Sequence, residues 1–328
     1  MLTRLVVTAF FVVTAFFLLV PIGAQAQSRP VRVGVLIPEL DRPQSQSIKG
    51  LKEMLKQVGF EERKHIIFEI RDAKGDRAGL EPAAKELVAK KTEVIFTTGT
   101  RATRAAKAAT RDLPIVFIHP GDPIRLGLAK SLEGSGANLT GVGAFASQTT
   151  EKRMGILKDL LPGLRQIHVF FDSNDPFARE NFETAKAAAG KLRLEVVEHG
   201  VKSSDELKAS VGQLESAMNE AFFHMPDDLV ESEADFIFET IRKKRLPSMF
   251  NEDFWAIKGA MAAYGPNYYE MGRQAARLVE AILKGRKAET LPIQRANKFD
   301  LTLNYRTANF IGVNLSQEML KKADRVIR

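Results

Sequence analysis

Six times along the chain a short apolar run stops at a cluster of Pro, Gly, Thr, Asp or Asn and gives way to a helical pattern. The runs are Val33–Ile37, Val94–Phe96, Ile115–Ile118, Ile167–Phe171, Ala221–Phe223 and Pro247–Phe250. Runs apolar on both faces suit strands of a parallel sheet covered by helices on each side. Such sheets place ligands beyond the carboxyl ends of their strands, where the next helices begin. The polar clusters Pro38–Asp41, Thr97–Thr100, His119–Asp122, Asp172–Asp175, Met225–Asp228 and Asn251–Asp253 all fall there. The pattern reads as an α/β chain that binds a small molecule.

At 328 residues the chain is too long for one compact core and long enough for two α/β lobes. Its N-terminus departs from the rest. Arg4 precedes the apolar run Leu5–Val20, then Pro21, then Ala24-Gln25-Ala26. Charged start, apolar stretch and small-x-small site make residues 1–26 a secretory signal peptide, cut after Ala26. A membrane anchor needs about 20 apolar residues, and Pro21 ends this run sooner. The sequence has no cysteine, so neither disulfides nor acylation of a cysteine can serve it. An exported, unanchored protein needs a second membrane to retain it, and the periplasm is the expected compartment. Cleavage removes one charge, Arg4, and leaves +7 from the +8 of the whole chain. A basic balance can signal nucleic acid. Here the densest basic run, Arg242–Arg245, ends a predicted helix, where cations complement the dipole. No nucleic-acid partner is expected.

The periodicity predicts helices over about Gln44–Val58, Arg101–Ala109, Ser147–Leu161 and Tyr268–Leu283, and one after Asp76 with Leu80, Ala84, Leu87 and Val88 inside. Further strands are expected at Ile66–Ile70, Leu194–Val197, Ala260–Tyr264 and Phe299–Leu303. Ser203 and Glu206 have capping-box spacing. Glu133–Gly143, rich in Gly, Ser and Asn, is the most loop-like stretch, and the two halves are expected to join near residues 133–146. After Gly265-Pro266 there is too little chain for a third core, so these pieces must pack back onto both halves.

Several segments resemble one known family. They are GDPIRLGLAKSLEGSGANLTG from Gly121 to Gly141, Tyr264-Gly265-Pro266-Asn267, Ile282-Leu283-Lys284-Gly285 and Leu291-Pro292-Ile293. Together with Val33-Gly34-Val35-Leu36 and Lys298-Phe299-Asp300-Leu301 they resemble a group of ABC-importer substrate-binding proteins, some of whose relatives take up aromatic amino acids. The resemblance implies a type I periplasmic-binding-protein fold: two Rossmann-like lobes with parallel sheets, three crossover strands and a cleft between. It places residues 31–143 with 266–297 in one lobe and 144–265 with 298–328 in the other. Asp172-Ser173-Asn174-Asp175-Pro176 and Met225-Pro226-Asp227-Asp228 depart from the family's usual loops, so ligand identity is not carried over.

Thr97-Thr98-Gly99-Thr100 is the expected anion seat, with Thr98, Gly99 and Thr100 touching the ligand, a glycine for close approach and a helix N-terminus behind it. Glu39, His119, Asp122 and Thr140 from the first lobe complete the expected ligand-binding set with Asp172, Asn174, Asp227, Asn251 and Tyr264. Asp122 and Asp175, each before a proline, also fit as helix caps. Trp255 reads as core, and Tyr264 as an aromatic facing the cleft. His119 and His224 lack metal-ligand spacing, so neither metal nor cofactor is expected.

The expected function is capture of a small carboxylate, an amino acid or aromatic acid, by closure of two lobes. Delivery to an inner-membrane ABC permease by a monomer completes it. An exported sensor lobe that signals to a membrane receptor without transport is the alternative. An enzyme is disfavoured, because there is no cysteine, no Gly-x-Ser-x-Gly elbow and no phosphate loop after the first strand.

Overall fold

The computed structural model describes residues 29–40, 45–76, 78–119, 122–145, 149–215 and 219–328. The proposed signal peptide lies outside them. Among the described residues no helix is long and apolar enough to cross a membrane.

Two separate sheets form. The first contains β1 (Val31–Ile37), β2 (Ile66–Asp72), β3 (Val94–Thr98), β4 (Ile115–His119), β5 (Leu139–Gly143) and β11 (Gln294–Arg295). Its order is β11-β5-β4-β3-β1-β2, parallel throughout. The second contains β6 (Gln166–Asp172), β7 (Glu195–Val201), β8 (Glu220–Phe223), β9 (Ser248–Phe250), β10 (Ala262–Pro266), β12 (Phe299–Asn304) and β13 (Arg325–Ile327). Its order is β13-β12-β10-β9-β8-β6-β7, and only β12 on β10 is antiparallel. All six apolar runs are strands. This is the α/β class expected, with two parallel-dominated sheets.

The helices cover both faces of each sheet, as strands buried on both sides require. In the first half they are α1 (Gln46–Gln57), α2 (Leu80–Ala89), α3 (Gly99–Ala109) and the late α10 (Tyr268–Leu283). The second half carries α4 (Thr150–Leu160), α5 (Pro176–Lys191), α6 (Ser204–Gln213), α7 (Asp228–Ser232), α8 (Ala234–Lys243), α9 (Asp253–Lys258), α11 (Tyr305–Ile311) and α12 (Gln317–Lys322). Strand alternation divides each core in two. Val94 and Phe96 of β3 pack with α1 and α10, while Ile95 packs with α2 and α3. Ala221 and Phe223 of β8 face α4 and α5, while Phe222 turns to α6 and α8.

Local chemistry sets the boundaries. Asp175 accepts from Phe177 N at 2.9 Å and Pro176 opens α5, which fulfils its expected capping role. Asp122 does the same for a short turn, accepting from Ile124 N at 2.9 Å. Asp76 instead accepts from Ala78 N in the turn before α2, whose N-cap is Gly79. Ser203 accepts from Glu206 N at 3.2 Å, but the Glu206 carboxylate returns to Lys202 N rather than to the cap residue.

The largest departure from expectation is β5, a fully buried strand inside the stretch that reads as loop. Its glycine content misleads. A Cβ on Gly141 would lie 2.2 Å from the Phe117 carbonyl oxygen, so this glycine lets β5 lie against β4. The short strands β11 and β13 also form where none was expected.

The chain passes between the sheets three times: after β5, after β10 and after β11. The third passage runs beside the other two, since Arg295 pairs with Gly143 and Phe299 pairs with Pro266. The C-terminal pieces thus pack back onto both halves.

Candidate functional site

The carboxyl ends of the two sheets face one another. Arg101, in the first turn of α3, forms an ion pair with Asp228 at the start of α7. Arg125, in the turn after β4, pairs with Glu180 of α5. All four residues follow the carboxyl end of a strand, two on each sheet, so the strand ends border a shared crevice.

On the first-sheet wall, β3 ends in Thr97 and Thr98, both fully buried. Gly99 then takes a φ of +78°, a value that favours glycine, and opens α3. Thr103 Oγ1 donates to the Gly99 carbonyl at 2.8 Å, so its single proton is used and Thr97 donates to it at 2.9 Å. Thr98 is different. It is the N-cap residue, yet its side chain caps nothing, and its buried hydroxyl has no hydrogen-bond partner. Alternation sends it to the face of Val94 and Phe96, opposite Thr97. A helix N-terminus without a side-chain cap and an unpartnered hydroxyl beside it can receive an oxyanion.

The other first-sheet candidates are placed as follows. Glu39 is half-buried just past β1, its carboxylate lying over the Gly75 turn. Thr100 is in the first turn of α3 and has a partner of its own. His119 ends β4, and its side chain lies outside the described residues. Asp122 is occupied as a turn cap. Thr140 does not reach the crevice. It sits near the start of β5, fully buried, and donates to the Pro292 carbonyl at 3.1 Å.

The acids of the second-sheet wall serve the backbone. Asp227 accepts from Leu229 N and Val230 N through one oxygen at 2.9 and 3.0 Å, and from Asp172 N through the other at 2.8 Å. Burial pushes its carboxyl above the ordinary range, while these three N–H donors pull it back. Asp172 accepts from Asn174 N at 2.8 Å, and the exposed Asn174 reaches the Lys202 carbonyl at 3.4 Å. These residues were expected to grip a ligand, but their hydrogen bonds go to backbone groups of their own and neighbouring strand-end loops.

Tyr264 is also corrected. Alternation turns Ala262 and Tyr264 into the second-half core, where the tyrosine ring stacks on Phe299 at 5.9 Å under the Lys152 ammonium. Asn251 is buried and bonds through Oδ1 to His224 Nδ1 at 2.8 Å. His224 stacks on Phe250, and burial lowers its pKa to about 3, with the Arg153 charge adding to the effect. Its Nε2 has no partner, nor has the indole nitrogen of Trp255, which is core as expected. Among the described residues no group of three or more His, Asp or Glu is placed to hold a metal.

Arg153, which sequence reasoning missed, is fully buried beside this strand end. The signal was available. Thr150, Arg153, Met154, Leu157 and Leu160 form one buried face at helical spacing, with a cation inside it.

The model for the family described as ABC transporter substrate binding protein matches residues 32–327. A curated relative, the tyrosine-binding protein of Clostridioides difficile (strain R20291), is 25% identical over 285 residues, 87% of this chain and 81% of that protein. A conserved domain protein from Vibrio cholerae is 26% identical, with a TM-score of 0.80 over 91% of this chain and all of the other. An ABC domain from Streptococcus pneumoniae solved with L-Trp has a TM-score of 0.78 at 23% identity, over 91% of this chain and 100% of its own. The ligand-free, open form of a substrate-binding protein with adhesive properties from Clostridium difficile gives 0.75 at 24%, over 90% and 99%. The fold is that of type I periplasmic binding proteins.

Proposed function

Because the chain belongs to the ABC transporter substrate-binding protein family, we propose that it captures a small carboxylate-bearing solute, an aromatic amino acid foremost, and hands it to a permease. The observation that carries the ligand class is the buried, unpartnered Thr98 hydroxyl beside the uncapped start of α3. A carboxylate there would accept from the Thr98 hydroxyl beside the positive end of the α3 dipole, in place of the water it leaves. The names of the relatives agree in kind, one binding tyrosine and one solved with L-Trp.

The mechanism is closure. Residues 31–143 with 266–297 would form one lobe and 144–265 with 298–328 the other, turning about the three passages. A guest touching both walls favours the closed state by its differential affinity, and the Arg101–Asp228 and Arg125–Glu180 pairs add a rim contact. The closed form, exported to the periplasm and acting as a monomer, then docks on an inner-membrane permease. No chemistry is done on the guest, as the family is one of binding proteins.

Calorimetry of the mature protein against L-tyrosine, L-tryptophan and L-phenylalanine tests the ligand class. Micromolar binding, about 8 kcal/mol, is expected for at least one. Thr98→Val should weaken it by about tenfold while leaving the empty protein's melting temperature unchanged or higher, since the buried hydroxyl has no partner to lose. No binding to any of the three removes the aromatic ligand, and an unchanged affinity in Thr98→Val removes the seat.

A further inference from the structure

Arg153 has no measurable exposure, and the partners of its guanidinium are a carbonyl, a thioether and a ring face. One terminal nitrogen donates to the His224 carbonyl at 2.7 Å and the other lies 3.3 Å from the Met225 sulfur. The guanidinium sits 4.6 Å above the Phe223 ring, and its Nε has no partner at all. Among the described residues no carboxylate pairs with it. Burial alone draws its pKa down to about 9.

Buried charges are ordinarily paired, because the desolvation cost of a lone one is large. The backbone carbonyl and the ring face offset part of that cost. The remaining positive charge has a direction. Side chains on a helix tilt toward its N-terminus, and α4 starts just after the first passage between the sheets. The guanidinium therefore stands at the carboxyl end of β8, behind the second-sheet wall of the crevice.

We infer that Arg153 is the counter-charge for the guest's carboxylate, acting through the His224–Met225 strand end as a positioning residue for an anion. The inference rests on the reading of the guest as an amino acid. Thr98 supplies a neutral donor from one wall, and Arg153 supplies the charge from the other. The empty protein carries an uncompensated cation, and an acid cancels it where a neutral analogue cannot. The site thereby selects acids over amides that keep the same ring and ammonium group.

Calorimetry of the wild-type protein with L-tyrosine, L-tryptophan and their carboxamides tests this first. The acids should bind at least roughly thirtyfold more tightly than the amides. Arg153→Met should cut the affinity for the acid by a similar factor, leave the amide within about twofold, and keep or raise the melting temperature of the empty protein. Arg153→Lys should restore most of the acid preference. Equal wild-type affinity for acid and amide overturns the inference even if Arg153→Met does not fold. Binding of the acid with an unchanged acid-to-amide ratio in Arg153→Met overturns it while leaving the aromatic-ligand reading intact. Failure of the wild-type protein to bind either acid overturns both.

Discussion

The two walls of the crevice are built on the same plan and filled with opposite chemistry. The first-sheet wall ends β3 in small hydroxyls and a glycine, and leaves the Thr98 hydroxyl unspent at a helix start that it does not cap. The second-sheet wall ends β6 and β8 in acids whose oxygens are bound to backbone N–H groups. Behind them lie an imidazole, an indole and a guanidinium, each with an unmatched nitrogen. Carboxylates next to N–H groups of tight loops are captured by the loops, and are poorly available to a guest. Availability belongs to the groups that the surrounding backbone leaves alone.

The strongest way to break this contrast is Asp227→Ala. If the acid is a fastener of the second wall, three N–H groups lose their acceptor, and unfolding free energy should fall by about 2–4 kcal/mol in urea titrations. Retained stability with lost ligand affinity would return Asp227 to the role the sequence suggested.

His224 sharpens the contrast through pH. Its folded pKa of about 3 lies below its ordinary 6.5, so the fold favours the neutral ring. The associated stability is complete above pH 6.5 and is lost as pH falls toward 3. Between about pH 6.5 and 5 that amounts to about 2 kcal/mol. His199, lowered to about 4 by burial and by His168, works in the same direction, so some slope persists without His224. The melting temperature of His224→Gln should therefore fall less on acidification than that of the wild type. Parallel curves would mean that the ring is not held neutral by its surroundings.

The smallest effect belongs to the rim. Arg101 and Asp228 are partly to largely exposed, so their pair contributes at most about 1 kcal/mol and is screened by salt. Arg101→Ala should alter ligand affinity by less than about fivefold in low salt and not at all in high salt. A loss that survives high salt would place Arg101 on the guest itself.

Much of the architecture was legible because apolar runs and helical periodicity report burial directly. The bounds of α10 and the presence of the six buried strands follow from residues that have no other place to go. β5 was hidden because Gly141 and Gly143 satisfy close packing, yet glycine in sequence also signals a loop. β11 and β13 have only two and three residues, too few for any period to register. The site was less legible. Thr98 leaves its hydroxyl without a partner at the end of β3, while Thr140 and Tyr264 turn into the core by alternation, which decides between crevice and core one residue at a time. Arg153 escaped because a basic residue beside Lys152 suggests a solvated helix face. Its register with Met154 and Leu157 argued the reverse.

The three passages lie shoulder to shoulder, the last flanked by the first on one sheet and by the second on the other. A single tether would permit swivel, and two spaced tethers would permit shear. Three abreast would resist both and leave one easy motion, like a door on a long pivot. Successive guests would then meet the same two jaws in the same alignment, and a cut in any one strap would loosen the door without letting it fall.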